Sequence, residues 1–70
     1  MKSYEIIEAG VTSGNIYTST LTDIKNVAQR ECVARNRVMY VNLVREGGMR
    51  KRLFRYVPDG KGGCEVKQIN

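Results

Sequence analysis

The residues best equipped for chemistry lie in REGGMRKRLFRYVPDGKGG, residues 45 to 63. Arg45, Arg50, Lys51, Arg52 and Arg55 are interleaved there with Met49, Leu53, Phe54, Tyr56 and Val57. A guanidinium presents a planar fork of donors that matches phosphate and carboxylate, so the chemistry on offer is anion recognition. The charge is also segregated. Between Arg30 and Arg55 stand eight cations, seven of them arginine, against Glu31 and Glu46, a net of +6. The rest of the chain carries four lysines against five acids, a net of −1, and the two parts sum to +5. A basic balance can serve plain solubility; confinement of every arginine to the middle of the chain is what points to an anionic partner.

Catalysis finds little support. There is no histidine, so the commonest general base is missing. Glu5, Glu8, Asp23, Glu31, Asp59 and Glu65 show no paired spacing suited to acid–base work. The stretch DGKGG, residues 59 to 63, sets a lysine among glycines but lacks both the GxxxxGK[ST] spacing and a following helix, so it reads as a hairpin turn. Cys32 and Cys64 are isolated thiols, and without histidine they cannot make the usual four-ligand zinc site. Both are expected to be reduced and partly buried. The expectation is a non-enzymatic chain with no metal and no cofactor.

Seventy residues make one domain, 1–70, with a small core. The first ten residues, MKSYEIIEAG, hold two acids and no apolar run of signal-peptide length. No stretch approaches the roughly 20 apolar residues of a membrane span. A cytoplasmic protein with no membrane partner is expected.

The elements that must position the basic stretch follow from periodicity. Lys2 to Ala9 reads as a strand, GVTSG as a turn, and Asn15 to Ser19 as a second strand rich in Ile, Tyr and Thr. TLTDIKNVAQRECVARN reads as the one helix. Thr20 followed by Asp23 resembles a capping box, and Asn36 suits a left-handed stop. Leu21, Ile24, Val27, Ala28 and Cys32 fall on one helical face, while Lys25, Gln29 and Arg30 point elsewhere. Val38 to Arg45 is apolar in both phases of its alternation, as in a central strand. Met49 to Val57 and Cys64 to Ile69 read as the last two strands. The order is β-β-α-β-β-β. The predicted fold is α+β, one helix packed on a mostly antiparallel sheet of four to five strands, with the other sheet face largely solvated.

A two-residue turn at Gly47 and Gly48 would set Arg45 opposite Arg50, Leu43 opposite Arg52, Val41 opposite Phe54 and Met39 opposite Tyr56. On the other face Val44 would meet Lys51, Asn42 would meet Leu53, and Tyr40 would meet Arg55. The first face has the better apolar centre and should receive the helix. The second would present Tyr40, Asn42, Lys51 and Arg55 to solvent. Tyr40 beside Arg55 could offer a stacking platform for a base, or be a routine cross-strand pair. The whole hairpin could equally be an amphipathic sheet with a charged edge that discourages pairing.

At the helix the sequence becomes familiar. TLTDIKNVAQRE leading into VM, with an earlier YEII strand and a later DGK turn, is similar to a family of small phage-encoded anti-CRISPR proteins that inhibit the type I-F surveillance complex. The resemblance spans most of the chain with few identities. It implies a binding protein that docks on the backbone subunits of a bacterial CRISPR ribonucleoprotein and obstructs target DNA hybridisation. It also implies non-specific contact with double-stranded DNA. Lys25, Arg30 and Glu31 coincide with a Lys and a Lys-Glu pair on the family's helix. Where the family has a glutamine and then a docking aromatic, this chain has Cys32 and Ala34, so one anchor is missing. Arg35 and Arg37 could compensate.

Two functional expectations result, with a third beside them. In the first, a monomeric inhibitor uses Lys25, Arg30, Glu31, Arg35 and Arg37 for protein docking. In the second, a small basic module binds DNA or RNA directly through Tyr40, Arg50, Lys51, Arg52 and Arg55. In the third, an assembly protein pairs its exposed sheet edge with itself.

Overall fold

The computed structural model describes residues 2–69. Five strands and one α-helix follow the order β1 (Lys2–Glu8), β2 (Asn15–Ser19), α1 (Leu21–Arg35), β3 (Met39–Val44), β4 (Arg50–Pro58) and β5 (Cys64–Gln68). All neighbouring strands are antiparallel, in the spatial order β2-β1-β3-β4-β5. The predicted α+β class and element order hold, with strand limits that differ by one residue at most ends.

The helix starts where its chemistry says it should. The Asp23 amide donates to the Thr20 hydroxyl at 3.3 Å, satisfying one of the first-turn donors that have no intrahelical acceptor. It stops at Asn36, which adopts the left-handed conformation with φ 52°. Ile24, Ala28 and Cys32, four residues apart, are buried against the sheet. Val27 is half-buried at the edge of that stripe, and Leu21 is 37% exposed. Below the helix lie Tyr4 and Ile6 of β1, Met39 and Val41 of β3, and Tyr56 of β4. β3 is the middle strand, as its apolar run implied. The free thiols meet at the far end of this core. Burial, then the neighbouring Cys64, pushes the Cys32 thiol up to about 11.

The β3–β4 hairpin departs from the two-residue turn. Its loop is the three-residue 3-10 turn Glu46–Gly48. The Arg45 amide donates to the Met49 carbonyl at 2.6 Å, and the Gly48 amide to the Arg45 carbonyl at 3.0 Å. Gly47 and Gly48 sit at φ 81° and 83°, a region closed to most side chains, so both glycines are consumed in closing this loop. Val44 therefore faces Arg50, Leu43 faces Lys51 and Asn42 faces Arg52. A bulge at Leu53 then restores the expected pairs Val41–Phe54, Tyr40–Arg55 and Met39–Tyr56. The predicted pairs Arg45–Arg50, Leu43–Arg52, Val44–Lys51 and Asn42–Leu53 are thus replaced, because the loop is one residue longer and the bulge absorbs the difference. The last hairpin turns on Asp59, whose carboxylate accepts from the Lys61 and Gly63 amides at 2.6 and 3.1 Å.

Candidate nucleic-acid interface

Register and bulge together decide which cations share a surface. Side chains alternate across a strand, and paired residues lie on the same side. With Met39, Val41 and Tyr56 beneath the helix, Tyr40 and Asn42 of β3 face the open side. Arg50, Arg52 and Arg55 of β4 join them through their pairs Val44, Asn42 and Tyr40. Lys67 of β5 extends the row as the partner of Arg55, and Glu5 of β1 enters as the partner of Asn42. Lys51 does not belong to this face. It pairs with Leu43 and lines a shallow groove on the helix side with Leu21, Leu53, Phe54 and Ile69. The sequence expectation that Lys51 and Asn42 are presented to solvent beside Tyr40 and Arg55 is corrected on both counts. The bulge turns Lys51 to the other side, and Asn42 is buried, at 4% exposure.

The centre of the open face is a polar network built on two buried groups. Glu5 is only 5% exposed although no second layer covers it. Its carboxylate accepts from the Asn42 amide at 3.0 Å and from the Gly14 backbone amide at 3.3 Å, and Arg50 Nε lies 3.4 Å away. Burial pushes the Glu5 carboxyl up, but the bonds from Asn42 and Gly14 and the charge of Arg50 outweigh it and hold the group below its ordinary value. The other end of Asn42 accepts from Arg52 Nε at 3.2 Å. The Arg52 guanidinium in turn lies over the Tyr40 ring, 3.7 Å from its centroid. The result is a chain of contacts from Arg50 through Glu5 and Asn42 to Arg52 and Tyr40. Arg50 and Arg52 themselves stay exposed while the two groups they contact are buried.

Gly14 fits this network for a steric reason. A Cβ there would collide with the Ile6 carbonyl and come within 2.8 Å of Ile7 Cα. Only glycine lets the β1–β2 connection approach β1 closely enough to aim its amide at Glu5.

The helix candidates do not form one patch. Arg30 is exposed on the outer face, beside Asn26, Gln29, Val33 and Ala34. Lys25 leans over the Phe54 ring, with Nζ 5.0 Å from its centroid. Arg35 is held by Glu31 at 2.9 Å and lies 3.7 Å from Glu8, so this cation is already balanced by two acids. Arg37 is exposed in the link to β3. Lys25, Arg30, Glu31 and Arg35 are thus on the helix side, opposite the arginine face of the sheet.

Sequence reasoning missed Glu5 and the joining role of Asn42. The only sequence signal is an acid set between Tyr4 and Ile6 in a strand with a good apolar phase. Its partner Asn42 is 37 positions away, and local pattern does not reveal that pairing. Among the described residues, no group of three His, Cys, Asp or Glu side chains is placed to hold a metal ion. Nor, among the described residues, is any helix long and apolar enough to cross a membrane.

Fold and site together define a small α+β domain with one cationic face left open by its single helix. No protein-family model, curated protein or solved structure matches the chain significantly.

Proposed function

We propose that this chain is a non-enzymatic inhibitor that binds a bacterial type I CRISPR ribonucleoprotein and blocks hybridisation of target DNA. The observation that carries this reading is the placement of cations on both sides of one sheet. Arg30 and Lys25 lie on the helix side. Arg50, Arg52, Arg55 and Lys67 lie on the open side. A chain so built can touch a protein surface shaped for nucleic acid and the nucleic acid itself at once. The similarity of TLTDIKNVAQRE and the DGK turn to the anti-CRISPR family supports the choice of partner.

The test uses a purified type I complex loaded with its guide RNA. Added chain should abolish the mobility shift of the target duplex. The complex should also retain the chain after nuclease treatment. A combined Lys25→Glu and Arg30→Glu variant should lose both effects. A complex that neither retains the chain nor loses target binding defeats the reading.

A second reading is a direct nucleic-acid-binding module, and the Arg52–Tyr40 stack specifically favours it. Its affinity for nucleic acid should fall steeply as salt rises, because phosphate contacts release counterions. Docking on protein should depend on salt less.

A further inference from the structure

We propose that the open sheet face is a site for single-stranded nucleic acid, with one unpaired base stacking on the Arg52–Tyr40 pair and the flanking phosphates held by Arg50 and Arg55. This rests on reading that face as a nucleic-acid contact, and narrows the ligand to an unpaired strand.

Three observations carry it. The first is the stacked pair. One plane of the Arg52 guanidinium lies 3.7 Å from the centre of the Tyr40 ring, and Arg52 is exposed. The opposite plane is a flat, cationic surface of the kind on which unpaired bases stack. The second is pre-organisation. The Nε atom of Arg52 donates to Asn42, and that of Arg50 lies 3.4 Å from Glu5. Both guanidiniums are thus tethered through Nε by buried acceptors; Arg50 Nη1 also donates to the Gly48 carbonyl, which leaves Arg50 Nη2 and the terminal nitrogens of Arg52 for a phosphate. Glu5 and Asn42 are the positioning residues of this grip.

The third is shape. The molecule measures 38 × 24 × 21 Å. A B-form major groove is roughly 12 Å wide and admits a helix or a two-stranded ribbon. The broad face of a five-stranded sheet cannot enter it. A duplex laid against the face could meet only the outer cations, because its bases are already paired and stacked and cannot turn onto the Arg52 plane. An unpaired strand can lie flat across the sheet, with its bases free to turn down onto the stack.

The experiment is fluorescence anisotropy at low salt with a short labelled oligothymidine strand and, separately, a duplex of equal length. The single strand should bind more tightly. Tyr40→Leu leaves the charge unchanged but removes the ring that holds the Arg52 plane, and should weaken single-strand binding roughly tenfold, the scale of one lost stacking contact. It should leave duplex binding unaltered. Tyr40→Phe keeps the ring and should bind the strand as the parent does, which separates stacking from loss of fold; circular dichroism checks both variants. Duplex binding equal to or tighter than single-strand binding overturns this inference and leaves the face a general nucleic-acid surface. So does a Tyr40→Leu variant that weakens both probes alike or neither. No binding of either probe overturns both the inference and the reading beneath it.

Discussion

The two faces of the sheet bury side chains in different ways. On the helix side, Tyr4, Ile6, Met39, Val41 and Tyr56 are covered by the α1 stripe of Ile24, Ala28 and Cys32, and that contact is held by apolar area and shape. On the open side no element covers Glu5 or Asn42, yet both are as inaccessible as core residues. They are flanked instead by close neighbours: Arg50 and the Gly14 turn against Glu5, and Arg52 against Asn42 and Tyr40. A two-layer domain can thus hold a fixed polar arrangement on its exposed face, provided that every buried polar atom is paired. Among the described residues no buried side-chain nitrogen or oxygen is left unpaired.

The comparison breaks most visibly on the helix side. Ile24 is 1% exposed. Ile24→Ala removes buried methyl groups and leaves a cavity, and should lower stability by about 3 kcal/mol. In so small a domain that is a large share of the total. Urea denaturation followed by circular dichroism reads it as a fall in the midpoint. At temperatures where the variant remains folded, nucleic-acid binding by the open face should be unchanged. Loss of both together would mean that the two faces are not independent.

On the open side the corresponding change is Glu5→Gln. The amide keeps the shape but sets a donor against either the Asn42 or the Gly14 N–H, and it removes the charge facing Arg50. A loss of about 1–3 kcal/mol is expected. Its pH dependence has a definite sign. The folded carboxyl is held below its ordinary value of 4.5, so the ionised form contributes stability that is fully present above that value. That contribution is lost as pH falls through the lowered folded value. Denaturation across this range should therefore show the parent and Glu5→Gln curves converging toward acid. Parallel curves would mean that Glu5 is not held in the ionised form by its neighbours.

The helix-side face was far more legible in the sequence than the open face, and the reason is range. The Thr20 cap, the Asn36 stop and the apolar positions 24, 28 and 32 are set by residues within a turn or two of each other. Strand phase likewise placed Met39, Val41, Phe54 and Tyr56 together beneath the helix. The open-face network needs Glu5 beside Asn42 and Gly14 near Glu5, and these contacts exist only once strands pair and a loop folds back. The bulge at Leu53 was invisible for a related reason. Two glycines in a row fit a two-residue turn as well as the observed three-residue one. That difference of one residue moves Lys51 and Arg52 to opposite sides. The arginine face was therefore anticipated in composition, but the expected register set Arg50 and Arg52 on the helix side and Lys51 on the open side, the reverse of what the structure shows.

A smaller effect is expected at the start of α1. Thr20→Ala removes the acceptor for the Asp23 amide. The expected loss is about 1 kcal/mol of stability with no change at the open face. Thr20→Ser keeps an acceptor and should recover most of the loss in the same denaturation assay.

The smallest changes in stability give the sharpest test of which residue belongs to which face. Lys51 and Arg52 are adjacent, both exposed, and carry the same charge. Lys51→Gln and Arg52→Gln therefore remove identical charge from almost the same point in the chain, and any long-range electrostatic effect on an anionic probe should be nearly equal. The contacts differ. Arg52 stacks on Tyr40 and bonds to Asn42, while Lys51 pairs with Leu43 on the helix side. Lys51→Gln should change stability by less than about 0.5 kcal/mol, as surface substitutions usually do, and should weaken the single strand only as far as one unit of charge requires. Arg52→Gln should cost about 1 kcal/mol through its lost contacts, and should weaken the single strand several-fold more than Lys51→Gln does. A two-residue turn with no bulge would send Lys51 to the open face and Arg52 beneath it. The reverse ranking in the anisotropy assay would therefore overturn the register itself, and with it the membership of the arginine face.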